Sequence, residues 1–421
     1  MYLADARDSK RRSTTAAAPD TRPGRRAAAV PGTVVALGAV SLVTDVSSEM
    51  VSAVLPLYVV AGLGLSPLGF GLLDGINNGA AALVRLLGGH LADRGGRGHK
   101  LVAGFGYGLS AVCKPLLLLA HTLPLIGAVL AVDRTGKGLR TAPRDALISL
   151  ATAPEHRGRA FGVHRAMDTT GALIGPLVAF AILRATVDGY DAVFAVSGCI
   201  ALLGVLLLVL FVPGRAREEA PAVRPSLRDS LVLLRLPALR RLTLCAVLLG
   251  LTTVSDAFLY LLIQRRLGLS SHLFPLLPLG TAAVFLLLAV PMGLLADRIG
   301  RRVLFLAGHG ALLGGYALVL AAPGTGLIPV ILLLHGTFYA ATDGVLAAAT
   351  AGTVPAEHQG AGQALVGTGQ ALARFACSLA FGALWASLGG STALAIAAGA
   401  LTVSALVATR FLRTDDEVST A

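Results

Sequence analysis

Residues 89–100 read GHLADRGGRGHK and residues 293–302 read GLLADRIGRR. Each stretch joins one long apolar run to the next. Each carries Gly-x-x-x-Asp-Arg-x-Gly-Arg in the same order, with Asp93 and Asp297 separated by 204 positions. The offset persists elsewhere: GLGLS at 62–66 and RLGLS at 266–270 also stand 204 apart, and EHRG at 155–158 matches EHQG at 357–360 at an offset of 202. A register kept over that length marks a duplicated chain, here two homologous halves of about six apolar segments each.

Composition gives the class. Of 421 residues, 55% are hydrophobic and 14% charged, which describes a polytopic membrane protein rather than a soluble enzyme. The apolar runs are about 20 residues or longer, not about 10 with strict alternation, so helices and not a barrel satisfy the backbone in lipid. The expected fold is all-α. Cys113, Cys199, Cys245 and Cys377 each fall in a separate apolar run, with neither paired nor metal-ligand spacing. The net charge of +12 sits in loops and therefore does not point to nucleic acid.

Apolar runs between charged or Pro/Gly-rich breaks predict spans near 33–61, 68–92, 101–120, 122–145, 158–184 and 191–213, then 239–265, 273–296, 302–322, 326–350, 361–388 and 391–412. That divides the chain into a basic disordered tail (1–30), an N-terminal bundle (31–213), a linker (214–238), a C-terminal bundle (239–412) and a short tail (413–421). Residues 1–30 hold seven Arg or Lys and read as a solvated tail, not a signal peptide. Basic residues alternate onto one side: the first tail, the turns at 94–100, 157–159 and 298–302, the linker, and Arg410 with Arg413. The opposite loops hold little beyond Arg184, Arg265 and Arg266. Both termini are expected on the cytoplasmic side of the membrane.

Twelve spans in two halves, with GHLADRGGR after the second and GLLADRIGRR after the eighth, resemble the major facilitator superfamily over essentially all the chain past residue 30. The resemblance implies two six-helix bundles around a central cavity that rock to alternate its access. It implies a gating role for Gly89, Asp93, Arg94 and Arg97 and for Gly293, Asp297, Arg298 and Arg301, the Asp capping a neighbouring helix and pairing with Arg until the bundles reorient. The first copy departs after Arg97, where Gly98 and His99 precede Lys100. Gly171, Gly175 and Pro176 match the Gly-x-x-x-Gly-Pro of the family's antiporters; small residues four apart let backbones touch, and the expectation is a leak-tight seam between the halves. The fuller motif's trailing glycines are replaced by Val178 and Ala179.

Ionisable groups inside spans need a pathway or a partner, since each costs on the order of 3 kcal/mol or more at the bilayer centre. The first half is rich in them: Asp45 and Glu49, four apart on one face; Asp74 and Arg85; Lys114; and the fourth span, DRTGKGLRTAPRDAL, where Asp133, Lys137, Arg140 and Arg144 stack along one face with Arg134 turned about 100° away. Arg134 to Gly138 is similar to the family's Arg-x-x-Gln-Gly, with Lys137 in place of Gln. Arginine keeps its proton, so any role of Arg134 in proton movement is electrostatic. In the fifth span His164 and Asp168, also four apart, are placed to share a proton, or else form an ion-paired helix start with Arg165. The second half offers chiefly Asp256, Asp343 and Arg374, and so an apolar wall is expected there.

Asp45, Glu49, Asp133 and Asp168 are the expected proton-coupling residues; Arg85, Lys114, Arg134, Lys137 and Arg140 are the expected substrate contacts. The competing readings are an ion-paired cytoplasmic helix end for Arg144 and Asp145, and a packing residue for Glu49. No phosphate loop, zinc spacing or nucleophile elbow occurs, so no cofactor, metal or enzymatic chemistry is expected. The reading is a monomeric secondary transporter in the lipid bilayer, exchanging a small organic solute for protons, with proton-coupled uptake of an anionic metabolite and a non-transporting sensor as alternatives. With one tryptophan, Trp385, and 5% aromatics, a broad aromatic drug cavity is not evident.

Overall fold

The computed structural model describes residues 30–92, 98–153, 156–187, 189–213, 232–321, 324–355 and 359–418, and among them there is no strand. The first half comprises α1 (Gly32–Leu57), α2 (Pro67–Ala92), α3 (Gly98–Leu116), α4 (Leu123–Leu150), α5 (Arg157–Ala185) and α6 (Tyr190–Phe211). The second comprises α7 (Pro237–Gly250), α8 (Asp256–Leu267), α9 (Leu276–Ile299), α10 (Arg301–Ala321), α11 (Ile328–Ala351), α12 (Gln359–Leu388) and α13 (Gly390–Val418). Residues 1–29 and 214–231, hence nearly all of the expected tail and most of the linker, lie outside the described residues, as do Asp93, Arg94 and Arg97.

Nine segments among the described residues are long and apolar enough to cross a membrane. Of the remaining three expected spans, α2 and α4 have the length, 26 and 28 residues, but carry polar and ionisable side chains along it. The third departs from expectation. The run 239–265 is two helices, because Leu251–Ser255 leaves the helical path. Its hydroxyls turn back on the chain: Thr252 and Thr253 donate to the Leu249 carbonyl at 3.1 and 2.8 Å. The freed Val254 N–H donates to the hydroxyl of Tyr316 at 3.0 Å. Non-helical backbone at membrane depth survives only when so satisfied, inside protein or against a cavity. At the far end α13 continues to Val418, so residues 413–418 are helix rather than tail.

The duplication is visible in the backbone. Gly64 and Gly268, 204 positions apart, both adopt the left-handed conformation, φ +65° and +69°, and end the first and seventh spans with the same turn. Outward faces are hydrocarbon-like: Leu202, Leu206, Val209 and Leu210 on α6 and Leu286, Leu287, Val290 and Leu294 on α9 are all exposed. Water penalises such stripes; lipid does not. Inside the first half α1 packs on α5 and α6, and α4 on α2 and α3; inside the second, α11 packs on α9 and α10, and α12 on α7 and α13. The halves meet through α2 with α12 and α5 with α9.

Candidate functional site: a polar chamber between the halves

The two halves enclose a cavity of about 390 Å³, within the range of small-molecule sites, about 300–1,000 Å³. One wall presents Glu49, Ser52, Asp74, Asn77, Arg134 and Pro176; the other presents Asp256, Tyr260, Tyr339, Asp343 and Arg374. Charged groups are stable at this depth when they line a cavity or pair with one another. Both conditions hold here.

Helical spacing stacks Lys137, Arg140 and Arg144 of α4 on one face, and each meets a carboxylate of a neighbouring helix. Lys137 Nζ lies 3.9 Å from Glu49, Arg140 3.5 Å from Asp45, and Arg144 3.7 Å from Asp168 of α5. Asp45 and Glu49 therefore answer to separate bases, not to one another as their spacing suggests. The carboxyl that acts on Asp45 electrostatically belongs to Asp168. His164 forms no ion pair with Asp168 among the described residues; its Nε2 is 3.0 Å from the hydroxyl of Ser41. Arg140 is further held by the ring of Tyr107, 4.4 Å from its centroid. Arg144 also donates to Asp145 at 3.0 Å.

Asp133 sits behind this row. It accepts from Lys114 at 3.0 Å and from Ser110, with Arg134 at 3.8 Å. The side chains of Lys114 and Asp133 are 2% and 5% exposed, so neither reaches the chamber, contrary to the substrate contact expected of Lys114. Of the expected substrate contacts, Arg134 lines the chamber, Lys137 is paired to Glu49, and Arg140 is buried against Asp45 and Tyr107. Arg85 lies on α2, with its side chain outside the described residues.

The second wall is not the apolar surface expected of it. Tyr339 donates to Asp256 at 2.7 Å, and His335 Nε2 lies 3.2 Å from the same oxygen. Tyr260 donates to Thr281 at 2.9 Å, and Thr281 stands 3.5 Å from His335 Nδ1. This network joins α8, α9 and α11 at the point where the helix break delivers Asp256 into the chamber. Sequence reading passes over His335, Tyr339 and Tyr260 because a lone histidine or tyrosine in an apolar run reads as core, and nothing local shows that three helices bring them together.

Closure lies at one end. Contacts between the halves fall in the first half of α2, the second half of α5 and α12, the start of α8 and the turn before α9. Ser378 donates to Asp74; Phe70 meets Phe258 at 4.9 Å; Phe180 meets His272 at 6.4 Å. Phe258 in turn packs on Phe381 and Trp385. Glycines bring the backbones together: a Cβ at Gly71 would stand 2.5 Å from the Ser378 carbonyl, and one at Gly382 2.7 Å from that of Pro67. Gly171 and Gly175 do something different from what was expected. Their faces press on Leu42 and on Val46, Glu49 and Met50 of α1, so they lock α5 to α1 within one half and do not form the seam between halves. Pro176, the next residue, lines the chamber.

At the other end, Gly293, Asp297 and Arg298 of the second motif copy are exposed. Arg301 donates to the Ala348 carbonyl of α11 at 3.1 Å, and Arg302 to that of Thr409 on α13 at 2.8 Å. No ion pair to Asp297 is formed among the described residues. In the first copy Gly89 lies on α2.

The Major Facilitator Superfamily model matches residues 37–285 and 242–421. The chain is 28% identical over 281 residues to an uncharacterised MFS-type transporter of Methanocaldococcus jannaschii, covering 65% of this chain and 68% of that one. An uncharacterised protein of Mycobacterium tuberculosis is 36% identical over 195 residues, 45% of this chain and less than half, 47%, of its own length. Among solved structures, the nucleoside transporter NupG superposes with a TM-score of 0.76 at 15% identity over 90% of this chain and 99% of that one. A bacterial homologue of the human lysosomal transporter Spinster, inward-facing and occupied, gives the same TM-score and identity over 90% and 96%. Two bundles closed around an ionisable chamber, repeated loop motifs and a family model spanning both halves agree: this multi-pass membrane protein belongs to the Major Facilitator Superfamily of transporters.

Proposed function

We propose that the protein is a proton-coupled secondary transporter that exchanges a small organic solute for protons across a bacterial inner membrane, acting as a monomer. The observation that carries the coupling is the pair of neighbouring acid-base contacts, Arg140 with Asp45 at 3.5 Å and Arg144 with Asp168 at 3.7 Å. Two carboxyls and two guanidiniums hold one exchangeable proton: when it leaves, both carboxylates have a cation at hand; when it returns, an arginine is released to other partners. Glu49, paired with Lys137 on the same face, extends this row to the chamber wall.

With both termini cytoplasmic, the closed end is periplasmic and the chamber opens inward. The likeness to an inward-facing, occupied bacterial Spinster homologue supports that orientation at the level of fold. The exposed Asp297, free of an ion pair among the described residues, suits the same state, since the gating motif pairs in the opposite one. Proteoliposomes with an entrapped pH dye test the function. Solute added against an imposed pH gradient should move protons in the opposite sense, and Asp168→Asn should abolish that movement. Solute flux that continues unchanged in a folded D168N protein refutes the coupling.

A further inference from the structure

The chamber holds polar atoms with nothing to bond to. Arg134 Nε and Arg374 Nε, both buried, have no hydrogen-bond partner, nor do the buried Asn77 Oδ1 and Ser255 Oγ; Arg134 Nε comes only within 3.8 Å of Asp133. All four residues line the same cavity. An unmet buried donor or acceptor costs about 1–3 kcal/mol, more when charged, so four in one cavity describe a site shaped for something that bonds them. Two are cationic donors, from opposite halves.

The carboxylates around them bond to other groups. Glu49 is taken by Lys137, and Asp256 by His335 and Tyr339. Asp74 accepts from Ser378 across the closed end. Asp133 is shared between Arg134 and Lys114, and the lysine is nearer, 3.0 against 3.8 Å; that trio keeps a surplus positive charge, and it emerges in the chamber at Arg134. Arg374 has no carboxylate within ion-pair distance among the described residues, Asp343 being near enough only for longer-range attraction. Asp343 is exposed to the chamber, and with Asn77 it supplies acceptors beside the two donors.

We infer that the chamber binds a small organic acid bearing a hydroxyl or ammonium group, its carboxylate bonded by Arg134 and Arg374 and its donor by Asn77 or Asp343. Arginine's planar fork suits a carboxylate, bonding two oxygens at once. Because the two arginines belong to different halves, the anion bonds across the chamber and draws the halves together. This rests on the transporter reading above and sharpens it to a substrate class.

Calorimetric titration of purified protein with L-malate, succinate, choline and glucose tests it. Malate should bind, succinate more weakly because it lacks the hydroxyl, and choline and glucose not measurably. Arg374→Gln and Arg134→Gln should each weaken malate about tenfold or more, the loss expected for a hydrogen bond to a charged group. Asn77→Ala should bring malate down towards succinate. Should Arg374→Gln fail to yield folded protein, Arg374→Lys keeps the charge, loses the fork, and should weaken malate by several-fold. The inference is overturned if malate and succinate bind no better than choline or glucose, or if folded R134Q and R374K both bind malate as the wild type does. Proton movement separates the two claims. If choline or glucose drives proton exchange while malate does not bind, the acid site is wrong and the transporter stands. If malate binds as described yet moves no protons, the site stands and the exchange reading fails.

Discussion

Gly71→Ala should shift the protein out of the arrangement described here without unfolding either half. The added methyl would lie 2.5 Å from the Ser378 carbonyl oxygen, 3.3 Å from its carbon and 3.4 Å from Gly382 Cα. All three are backbone atoms of α12, so no side chain can step aside; the helices must part. Overpacking of this kind costs about 1–3 kcal/mol, and it is incurred only while α2 and α12 touch at this end. The gain of alanine over glycine in a helix, about 0.5–1 kcal/mol, applies to both arrangements and cancels. The equilibrium between closed and open forms at this end should therefore move roughly 5- to 150-fold. Trp385 is the only tryptophan, is 8% exposed, and packs on Phe258 and Phe381 in the same closure. Acrylamide quenching of its fluorescence should rise in G71A. Gly108→Ala on α3, where a Cβ meets nothing within 4 Å, is the control and should leave quenching unchanged. A folded G71A protein with wild-type quenching, or equal rises in both variants, refutes the reasoning.

Gly171→Ala contrasts with this: its methyl collides with the Leu42 carbonyl within one half, so it should lower the thermal midpoint and folded yield without raising quenching in the surviving protein. Tyr316→Phe removes the hydroxyl that accepts from Val254 N–H and should cost about 1–3 kcal/mol for an orphaned buried amide, read as a lower thermal midpoint in detergent; an unchanged midpoint means the helix break is satisfied otherwise. Tyr339→Phe strips a bond of 2.7 Å from Asp256 and should slow transport while leaving quenching of Trp385 as in wild type. Asp133→Asn leaves Lys114, 2% exposed, without its counter-charge, and should cost about 3–5 kcal/mol as a broken buried pair, measured as loss of folded protein.

Much of the fold is legible because lipid enforces it. Apolar runs near 20 residues can be little other than helices, and the repeated Asp-Arg turns betray the duplication. The break at Leu251–Ser255 was not legible, since Thr-Thr-Val-Ser is compatible with a membrane helix until Tyr316, 62 residues beyond Val254, is known to capture the amide. The ionisable row on α4 was readable by its periodicity, and its partners Asp45, Glu49 and Asp168 were on the right helices. Who pairs with whom was not, because helical spacing fixes faces and not neighbours. Arg374 and Asp343 were visible as charges in apolar runs; the network of Asp256 with His335 and Tyr339 was not, since it exists only where α8 and α11 converge. Gly171 and Gly175 show the limit from another side: small residues four apart announce a close approach without saying which helix approaches.

The ion pairs described above all stay within one half or the other; what crosses between halves is glycine, aromatic rings and a serine-to-aspartate bond. Each half thus travels with these charges already partnered, and none of them has to find a new partner midway. Parting the surfaces separates mainly apolar matter and one serine-to-aspartate bond, so the speed of the swing should respond weakly to salt and steeply to a single methyl group.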